Sequence, residues 1–383
     1  ELWAHDTSNT STWQVADINS GGSSSSPGSN GMEILVGDTL YFSADDGSSG
    51  TELWAHDTSN SSTWQVADIN SGGSSGIGYW TSHMERLVGD TLYFSADDGS
   101  SGAELWAHDT SNTSTWQVAD INSGGSSSSP GSNGMEILVG DTLYFSADDG
   151  SSGTELWAHD TSNSSTWQVA DINSGDPIYT SSSPGSYMQI LVGDTLYFDA
   201  NDWIDGMELW AHDTSNSSTW QVADINSGVF GGYGSGSSPG AYMEILVGDT
   251  LYFSADTVGG SNHELWAHDT SNTSTWQVAD INSGGSSYPG MNGMEILVGD
   301  TLYFIASDGS SGTCDSWGCF ELWAHDTSNS STWQMADINS GGGSNPGAYM
   351  QILVGDTLYF DANDGSSGTE LWMMTIEHSI TYD

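Results

Sequence analysis

Seven copies of the dipeptide His-Asp recur along the 383-residue chain and are its first candidates for chemistry. An adjacent imidazole and carboxylate could form a catalytic dyad or contribute to a zinc site. In a strand, however, neighbouring side chains point to opposite faces, and copies far apart in the chain cannot share one ion. We therefore predict that these histidines are packed, hydrogen-bonded strand residues: His5, His56, His108, His159, His212, His268 and His325.

No nucleophile motif accompanies these pairs. Gly234-Ser235-Gly236 is low-complexity Gly/Ser sequence and lacks the strand-to-helix elbow that exposes a catalytic serine. Arg86 is the single Lys or Arg in the chain, so a lysine-dependent mechanism is excluded. The sequence predicts no catalytic residues and no enzyme.

Carboxylates are abundant, and the turn Asp45-Asp46-Gly47-Ser48-Ser49-Gly50 is rich in oxygen ligands of the kind that Ca²⁺ prefers. The turn lacks the spaced acidic ladder and bidentate Glu of an EF-hand loop. Solvated turn carboxylates are the favoured interpretation, and Ca²⁺ at Asp45 and Asp46 is the alternative. No cofactor is required.

Two covalent features are predicted. Cys314 and Cys319 lie close together in a Gly-rich stretch, which favours a local disulfide over a metal site. Asn-x-Ser sequons recur in what reads as an exposed turn, and sequons in such turns of exported proteins are glycosylation acceptors. An alternative is that Asn and Ser simply form turns well. The seven acceptors are Asn9, Asn60, Asn112, Asn163, Asn216, Asn272 and Asn329.

The net charge of −50 is the most unusual global property of the chain. Such a surface repels nucleic acid and anionic membranes, and it stays soluble in salt because screening shortens the self-repulsion. No apolar run approaches the length of a membrane span, and no signal peptide is visible. We expect a mature or processed product, or a segment of something longer, in an extracellular or cell-surface setting.

A repeat of about fifty residues positions all of these groups, because Glu-Leu-Trp opens eight times, from Glu1 to Glu370. Between Glu33 and Ile69 the repeat contains four short β-type runs separated by Gly-, Asp- and Ser-containing turns. We label them strands A (from Glu33), B (Leu40), C (Leu53) and D (Trp64). Longer Gly/Ser links join D to the next A. The predicted fold is an all-β, closed seven-bladed β-propeller of four-stranded antiparallel blades.

Closure of the ring predicts the domain boundaries. Strands A and B near Ile352 and Leu358 would complete the seventh blade with the N-terminal C and D strands, which removes exposed sheet edges. The propeller would then span residues 1–369. Residues 370–383 would be a surplus strand that displaces Glu1-Leu2-Trp3, pairs with another copy, or packs on its own blade.

The repeat resembles the ELWxxDGT (hyalin-like) family of marine archaea and bacteria. The likeness rests on Glu-Leu-Trp with an Asp three residues on, on Ala-Asp-Ile-Asn-Ser-Gly, and on Gly-Asp-Thr-Leu-Tyr-Phe-Ser-Ala-Asp-Asp-Gly. It covers essentially the whole chain and implies a secreted or surface β-propeller with no known catalytic residues. One departure is that Asp57 is followed by Thr58-Ser59-Asn60, where the family has Gly-Thr.

Differences between the repeats concentrate in the B–C turns and the D-to-A links, which leave the sheets at the same edge. Aromatic residues on that edge, Tyr242 and Tyr288 among them, suit sugar stacking or protein contact, although some would only cap the blade core. The predicted binding-face aromatics are Tyr79, Trp80, Tyr179, Trp203, Phe230, Tyr233 and Trp317.

These observations predict a non-enzymatic extracellular structural propeller, a cell-surface, filament or coat building unit that self-assembles through terminal strand exchange. The alternative is a lectin-like or adhesive module that depends on Ca²⁺. The expected partners are further copies of the chain or surface glycans, with no nucleic acid and no membrane insertion.

Overall fold

The computed structural model of the chain describes residues 1–29, 31–77, 84–174, 180–230, 233–257, 262–291, 293–309 and 319–376. The chain divides into two compact units, Glu1–Ser186 and Tyr187–Asp383. The described residues form β-strands and no helices, which confirms the predicted all-β class. These residues accordingly contain no helix that could cross a lipid bilayer.

Six four-stranded antiparallel sheets repeat along the chain, three in each unit, and each follows the predicted order A-B-C-D. In the first unit they are β3 (Glu33–Val36), β4 (Thr39–Asp45), β5 (Thr51–Asp57), β6 (Ser62–Ala67); β7 (Glu85–Val88), β8 (Thr91–Asp97), β9 (Ala103–Asp109), β10 (Ser114–Ala119); β11 (Glu136–Val139), β12 (Thr142–Asp148), β13 (Thr154–Asp160), β14 (Ser165–Ala170). In the second unit they are β15 (Gln189–Val192), β16 (Thr195–Asn201), β17 (Met207–Asp213), β18 (Ser218–Ala223); β21 (Glu244–Val247), β22 (Thr250–Asp256), β23 (His263–Asp269), β24 (Ser274–Ala279); β25 (Glu295–Val298), β26 (Thr301–Ser307), β27 (Phe320–Asp326), β28 (Ser331–Ala336).

The A–B hairpin shows why this sequence folds into these strands. Val36 pairs with Thr39 across the two-residue loop Gly37-Asp38, and Gly37 has a φ of 60°. Glycine adopts this backbone conformation without the steric penalty of a Cβ atom. The flanking Ile, Leu, Val, Tyr and Phe residues are strong strand formers, so the turn and the strands specify one register.

Three smaller sheets complete the fold, and they correct the predicted closure. The first is β1 (Leu2–Asp6) with β2 (Ser11–Ala16), the second β19 (Val229–Phe230) with β20 (Tyr233–Gly234), and the third β29 (Gln351–Val354), β30 (Thr357–Asn363) and β31 (Thr369–Thr375). The terminal strands do not share a sheet, because β31 pairs with β30 and takes the C position beside it. The propeller-like blades therefore number seven or eight, according to whether β1–β2 is counted.

Each four-stranded sheet has two apolar faces. The front face carries the Leu and Ala of strand C, such as Leu53 and Ala55, and the back face carries the Leu, Phe and Ala of strand B with the Trp of strand C. Within a unit, the front of one sheet packs on the back of the next. Leu53 and Ala55 meet Leu92, Phe94 and Trp106 in this way. Burial on both faces explains why the strands do not alternate strictly between apolar and polar residues.

Methionines and glycines make the neighbouring sheets approach closely. The Met before strand A is buried in six of the seven copies, the exception being Met350, and in five of these six a link glycine from the next sheet lies against it. At Gly240, which has a φ of 81°, an added Cβ would lie 2.6 Å from Cβ of Met188. The same contact joins Gly290 to Met243. A side chain at these glycines would force the sheets apart.

Buried glutamates tie each sheet together from within. Glu208, at the start of strand C, is fully buried and accepts the backbone N–H groups of Ile225, Asn226 and Ser237 and the hydroxyl of Ser237, at 2.6–3.3 Å. We call this arrangement the strand-C clasp. It recurs at Glu52, Glu104, Glu155, Glu264 and Glu321.

A second set of glutamates joins neighbouring sheets. In the first unit the Glu33 N–H donates to the carboxylate of Glu85, and the Glu85 N–H donates to that of Glu136. In the second unit the backbone N–H of Gln189 donates to the carboxylate of Glu244, and the N–H of Glu244 donates to the carboxylate of Glu295. The N–H of Glu295 donates to the side-chain oxygen of Gln351. We call this row the strand-A seam.

Candidate functional site

The B–C turns and D-to-A links lie together at one edge of each unit, as predicted. An added Cβ at Gly50, in a B–C turn, would lie 2.7 Å from the backbone nitrogen of Ser74 in the following link. At Gly47 it would lie 2.7 Å from the side-chain oxygen of Asn19, which belongs to the preceding link. Departures from the repeat in these connections therefore appear on a shared surface, which we call the loop edge.

One group of aromatic and titratable residues on the loop edge of the second unit breaks the repeat. The rings of Tyr242, His263 and Tyr288 lie 5.1–5.5 Å apart, and Tyr242 stands nearly perpendicular to both of the others. Tyr242 ends one link, Tyr288 lies in the next, and His263 begins strand β23. We call these three residues the aromatic cluster.

Electrostatics distinguish this cluster from ordinary ring packing. Nδ1 of His263 is buried and has no hydrogen-bond partner, and the residue is 7% exposed. Burial lowers the pKa of His263, opposed by the nearby carboxylate of Asp256, so the imidazole is neutral at pH 7. Burial also raises the pKa of Tyr242, helped by Tyr288, Tyr187 and Asp256.

Asp256 is the carboxylate that accompanies the cluster. It is 1% exposed and its Oδ1 accepts the backbone N–H of Asn262 at 3.0 Å. The sequence departs from the usual Asp-Asp-Gly-Ser-Ser-Gly turn at this point, and His263 replaces the Thr that begins strand C at Thr51. Sequence analysis noted Tyr242 and Tyr288 as edge aromatics but missed His263, whose signal was this substitution.

Trp203 is the one predicted binding-face aromatic whose side chain the structure describes. It occupies the left-handed backbone region at φ 61°, where the equivalent residues Gly47, Gly99 and Gly150 are glycines. A bulky residue in this conformation costs on the order of 1–2 kcal/mol and suggests a functional constraint. Asp202 and Asp205 lie beside it, and together with burial they raise the pKa of Asp224.

The other predicted aromatics fall beyond what the structure describes. Tyr79, Trp80, Tyr179 and Trp317 lie outside the described residues. Phe230 and Tyr233 pair across β19 and β20, but their side chains are likewise not described. A role for these six residues stays a prediction.

The predicted sequon asparagines all lie in exposed C–D turns with a repeated hydrogen-bond pattern. Nδ2 of Asn60 donates to the carboxylate of Asp57 at 2.7 Å, and Oδ1 of Asn60 accepts the N–H of Ser62 at 2.9 Å. The middle residue, Ser61, has a φ of 61°. The bond from Nδ2 to the preceding Asp recurs at Asn9, Asn112, Asn163, Asn216, Asn272 and Asn329. Glycosylation stays a prediction.

The predicted Ca²⁺ ligands are engaged in their own turn. The Asp46 carboxylate accepts the N–H groups of Ser48 and Ser49, and these bonds lower its pKa to about 2. Asp45 accepts the N–H of Gly47. In the part of the chain that the structure describes, no three His, Cys, Asp or Glu side chains form a metal-binding group. Ca²⁺ binding at Asp45 and Asp46 stays a prediction.

Two further predictions concern cysteine and histidine. Cys319 is buried and disulfide-bonded, and Cys314 lies outside the described residues. Six of the seven repeated histidines are packed strand residues, as predicted, whereas His5 is exposed on β1. Nδ1 of His108 bonds to the hydroxyl of Thr115 at 2.8 Å, and its ring packs on Tyr41 of the preceding sheet. Burial lowers the pKa of His108, so it is neutral at pH 7.

Comparison with known proteins gives fold likeness only. No protein family model matches the chain, and no curated protein matches it. An oligogalacturonate lyase solved with manganese matches at 13% identity and a TM-score of 0.38, over 90% of this chain and 87% of that chain. A puromycin hydrolase matches at 12% identity and a TM-score of 0.41, over 94% of this chain and 53% of that chain. A prolyl endopeptidase structure matches at 11% identity and 0.42, over 94% and 50%, so this chain spans about half of those two proteins.

These neighbours contradict the prediction of a non-enzymatic structural unit or a lectin-like module, because the matching chains are described as enzymes. The low identity and TM-scores assign no activity, substrate or metal to this chain.

Proposed function

We propose that the loop edge of the second unit binds a cationic ligand, an ammonium or guanidinium group such as a basic peptide presents. The observation that carries this proposal is the aromatic cluster of Tyr242, His263 and Tyr288 beside the buried carboxylate of Asp256. Three ring systems and a carboxylate in one place supply the interactions that recognise organic cations.

Each part of the cluster contributes a distinct interaction. The faces of Tyr242 and Tyr288 offer cation–π attraction, worth about 0.5–2 kcal/mol according to desolvation. His263 is neutral, so in the tautomer protonated at Nε2 its unpartnered Nδ1 accepts a hydrogen bond from an ammonium group. Asp256 supplies the opposite charge at short range.

Trp203 supports the same chemistry at a second point on this loop edge. It combines an aromatic ring with the neighbouring carboxylates of Asp202 and Asp205, in a backbone conformation that other copies give to glycine. The net charge of −50 attracts cations to the whole surface and speeds their encounter. Specific recognition then depends on the aromatic residues that break the repeat.

We retain the exported setting as part of the proposal. The disulfide-bonded Cys319 supports it, because disulfides persist in oxidising compartments. The acidic composition also supports a saline environment, where screening limits the self-repulsion of the chain. Resemblance to the ELWxxDGT repeats points to the same setting.

Titration calorimetry with a short oligolysine peptide tests the proposal. Tyr288→Ser and His263→Thr restore residues that the repeat uses at equivalent positions, Ser238 and Thr51, and so disturb the fold least. We expect each to weaken binding about fivefold to tenfold, equivalent to roughly 1 kcal/mol. Tyr349→Ala is the matched control, because Tyr349 is 88% exposed on an equivalent link and should leave binding unchanged.

The pH and salt responses add independent criteria. Protonation of His263 places a positive charge in the cluster, so affinity should fall at acid pH in the parent chain and change less in His263→Thr. Equal weakening by Tyr349→Ala, or binding of oligolysine that salt abolishes alike in all variants, would show only non-specific attraction to the acidic surface and would end the proposal.

A further inference from the structure

A tryptophan of strand D is exposed in each of the six four-stranded sheets. It lies on the front face, where Trp64 pairs with Ala55, and strand D stands at the end of the strand order of its sheet. The exposed fraction varies only from 38% to 40% among the six copies: Trp64, Trp116, Trp167, Trp220, Trp276 and Trp333. Among the strand residues of these sheets, the other exposed large apolar side chains are Leu35 and Met335, each in a single copy. The tryptophan is therefore a repeated surface feature of both units.

A carboxylate accompanies each of these rings. Asp57 ends strand C two residues after Ala55, so it lies on the front face diagonal to Trp64, at a typical separation of about 7–8 Å. Hydrogen bonds from Ser59 and Asn60 lower the pKa of Asp57, so its carboxylate is ionised at neutral pH. We call the Trp and its Asp a rim pair. The other rim pairs are Trp116 with Asp109, Trp167 with Asp160, Trp220 with Asp213, Trp276 with Asp269, and Trp333 with Asp326.

The carboxylate of a rim pair can accept a further hydrogen bond. Oδ1 of Asp57 accepts the N–H and the hydroxyl of Ser59, and Oδ2 accepts Nδ2 of Asn60. An ionised carboxylate offers about four acceptor positions, and these three donors among the described residues leave one for a ligand. Each rim pair thus combines the face of an indole ring with a negative charge that can still receive a donor.

We propose that the rim pairs of each unit bind an extended polybasic segment of a partner protein, with one lysine or arginine side chain at each pair. Trp gives the strongest cation–π attraction of the aromatic side chains, and the carboxylate beside it adds the opposite charge. Charge selects this occupant, because a chain with 51 acids and one Lys or Arg attracts polycations and repels both polyanions and its own copies. The inference adds a second surface to the cation binding proposed for the aromatic cluster and does not depend on it.

The stacking of the sheets sets the spacing of the partner's charges. Neighbouring sheets lie about 10 Å apart face to face, and their outermost strands lie no closer. An extended peptide advances about 13 Å in four residues, so basic residues at every fourth position suit successive rim pairs. A single pair binds weakly because its ring is open to water, whereas the three pairs of one unit act together on one segment.

Titration calorimetry with a Gly/Ser peptide that carries four lysines, one at every fourth position, tests the proposal. The parent for this test is Tyr288→Ser, which lacks one ring of the aromatic cluster, in about 0.5 M NaCl to suppress non-specific attraction. Replacing Trp64, Trp116 and Trp167 by Thr, which retains strand propensity, should halve the number of peptides bound per chain. Replacing all six rim tryptophans should weaken binding at least tenfold. Leu35→Thr removes an exposed apolar side chain from strand A and should leave binding unchanged.

A second peptide and a second readout make the test specific. A peptide of the same composition with its four lysines adjacent should bind several-fold more weakly, because it reaches one rim pair at a time. The spaced peptide should also protect the indole fluorescence from quenching by acrylamide, a measurement that needs no tryptophan variant. Equal affinity for the two peptides, or an unchanged number of bound peptides in a triple variant that remains folded by circular dichroism, would overturn the proposal. Failure of the aromatic cluster to bind cations would leave these results unaltered, so the two proposals fail separately.

Discussion

The two sets of buried glutamates use the same side chain for opposite purposes. In the strand-C clasp, Glu208 receives four hydrogen bonds from its own sheet and link. In the strand-A seam, Glu295 receives one N–H from Glu244 and lies near that like-charged residue, which helps burial to raise its pKa to about 7. Burial also raises the pKa of Glu208 to about 7, so the two sets differ in their number of donors and not in their pKa.

Natural variation among the copies supports this distinction. The seam position is Gln in two copies, Gln189 and Gln351, whereas the clasp position is Glu in all eight copies. A neutral amide thus replaces the seam carboxylate without loss of the fold. The last copy, Glu370, is exposed, and the described residues place no D strand beside β31.

The largest effect should come from Glu208→Gln. The amide NH₂ would face N–H and O–H donors that now bond to a carboxylate oxygen, which leaves buried donors unsatisfied. We expect a loss of roughly 2–3 kcal/mol in unfolding free energy, measured by urea denaturation. Glu370→Gln, at an exposed clasp position, is the control and should be neutral. Equal small effects of both changes would mean that the clasp contributes little.

Solution pH should affect both sets, because burial also raises the pKa of the clasp residues Glu155 and Glu208 to about 7. The pKa values of Glu136, Glu244 and Glu295 are raised by burial to about 7, so the folded chain holds these protons more tightly than the unfolded chain. Their contribution is complete below about pH 4.5 and is lost as pH rises through 7. We expect a loss on the order of 1 kcal/mol per group, measured by unfolding at pH 5 and pH 8 in high salt.

The variant that replaces all three seam residues by Gln provides the comparison. Its stability should lose the part of the pH dependence between 5 and 8 that these three residues supply, while Glu155 and Glu208 retain theirs. Asp46 and Asp364, whose pKa values their turn N–H groups lower to about 2, act in the opposite sense below pH 4. An unchanged pH profile in the triple variant would mean that other groups cause the pH dependence of stability.

Ser237→Ala should have an intermediate effect, because it removes one donor from the clasp and keeps the carboxylate. The Ser237 hydroxyl donates to Oε2 of Glu208 at 2.6 Å, and three backbone donors remain without it. We expect a loss of about 1 kcal/mol by denaturation. Ser238→Ala tests a neighbouring residue outside the clasp. A loss as large as that of Glu208→Gln would contradict the donor-counting argument.

The smallest effect should come from Glu295→Gln. Gln351 and Gln189 already occupy this position in other copies, and Gln cannot ionise. At pH 8 we expect a change within about 0.5 kcal/mol or a slight gain, since the variant avoids burying a charge. A loss comparable to that of Glu208→Gln would remove the difference between seam and clasp.

Sequence patterns predicted the repeating sheets because strands A to D are local and their turns are chemically explicit, as at Gly37-Asp38. They did not predict where the chain ends would pair. Strand β31 reaches β30 through a short turn, whereas pairing with β1 would close a loop of nearly the whole chain at greater entropic cost. The local pairing is the one observed.

The clasp was also missed, because a Glu at the start of a strand reads as a solvent-facing residue. A signal was present: the chain has one Lys or Arg for 51 acids, so buried carboxylates must bond to N–H groups. At the candidate site, the antiparallel strand order predicted the loop edge, and differences between the repeats indicated Tyr242 and Tyr288. The proximity of His263 and Asp256 follows from the B–C register, in which they pair as Thr51 pairs with Asp45. The contact of His263 with Tyr242 and Tyr288 depends on packing against two links, which the sequence pattern does not encode.

The contact between each link glycine and a buried methionine has a consequence for oxidative damage. Met188 and Met243 lie against Gly240 and Gly290 with no space for a single added atom. Burial keeps oxidants away from these thioethers, and a polar sulfoxide would be unfavourable in the apolar core between two sheets. Peroxide should therefore modify exposed Met350 and Met373 first. Oxidation at the inner methionines would instead report that the sheets had already come apart.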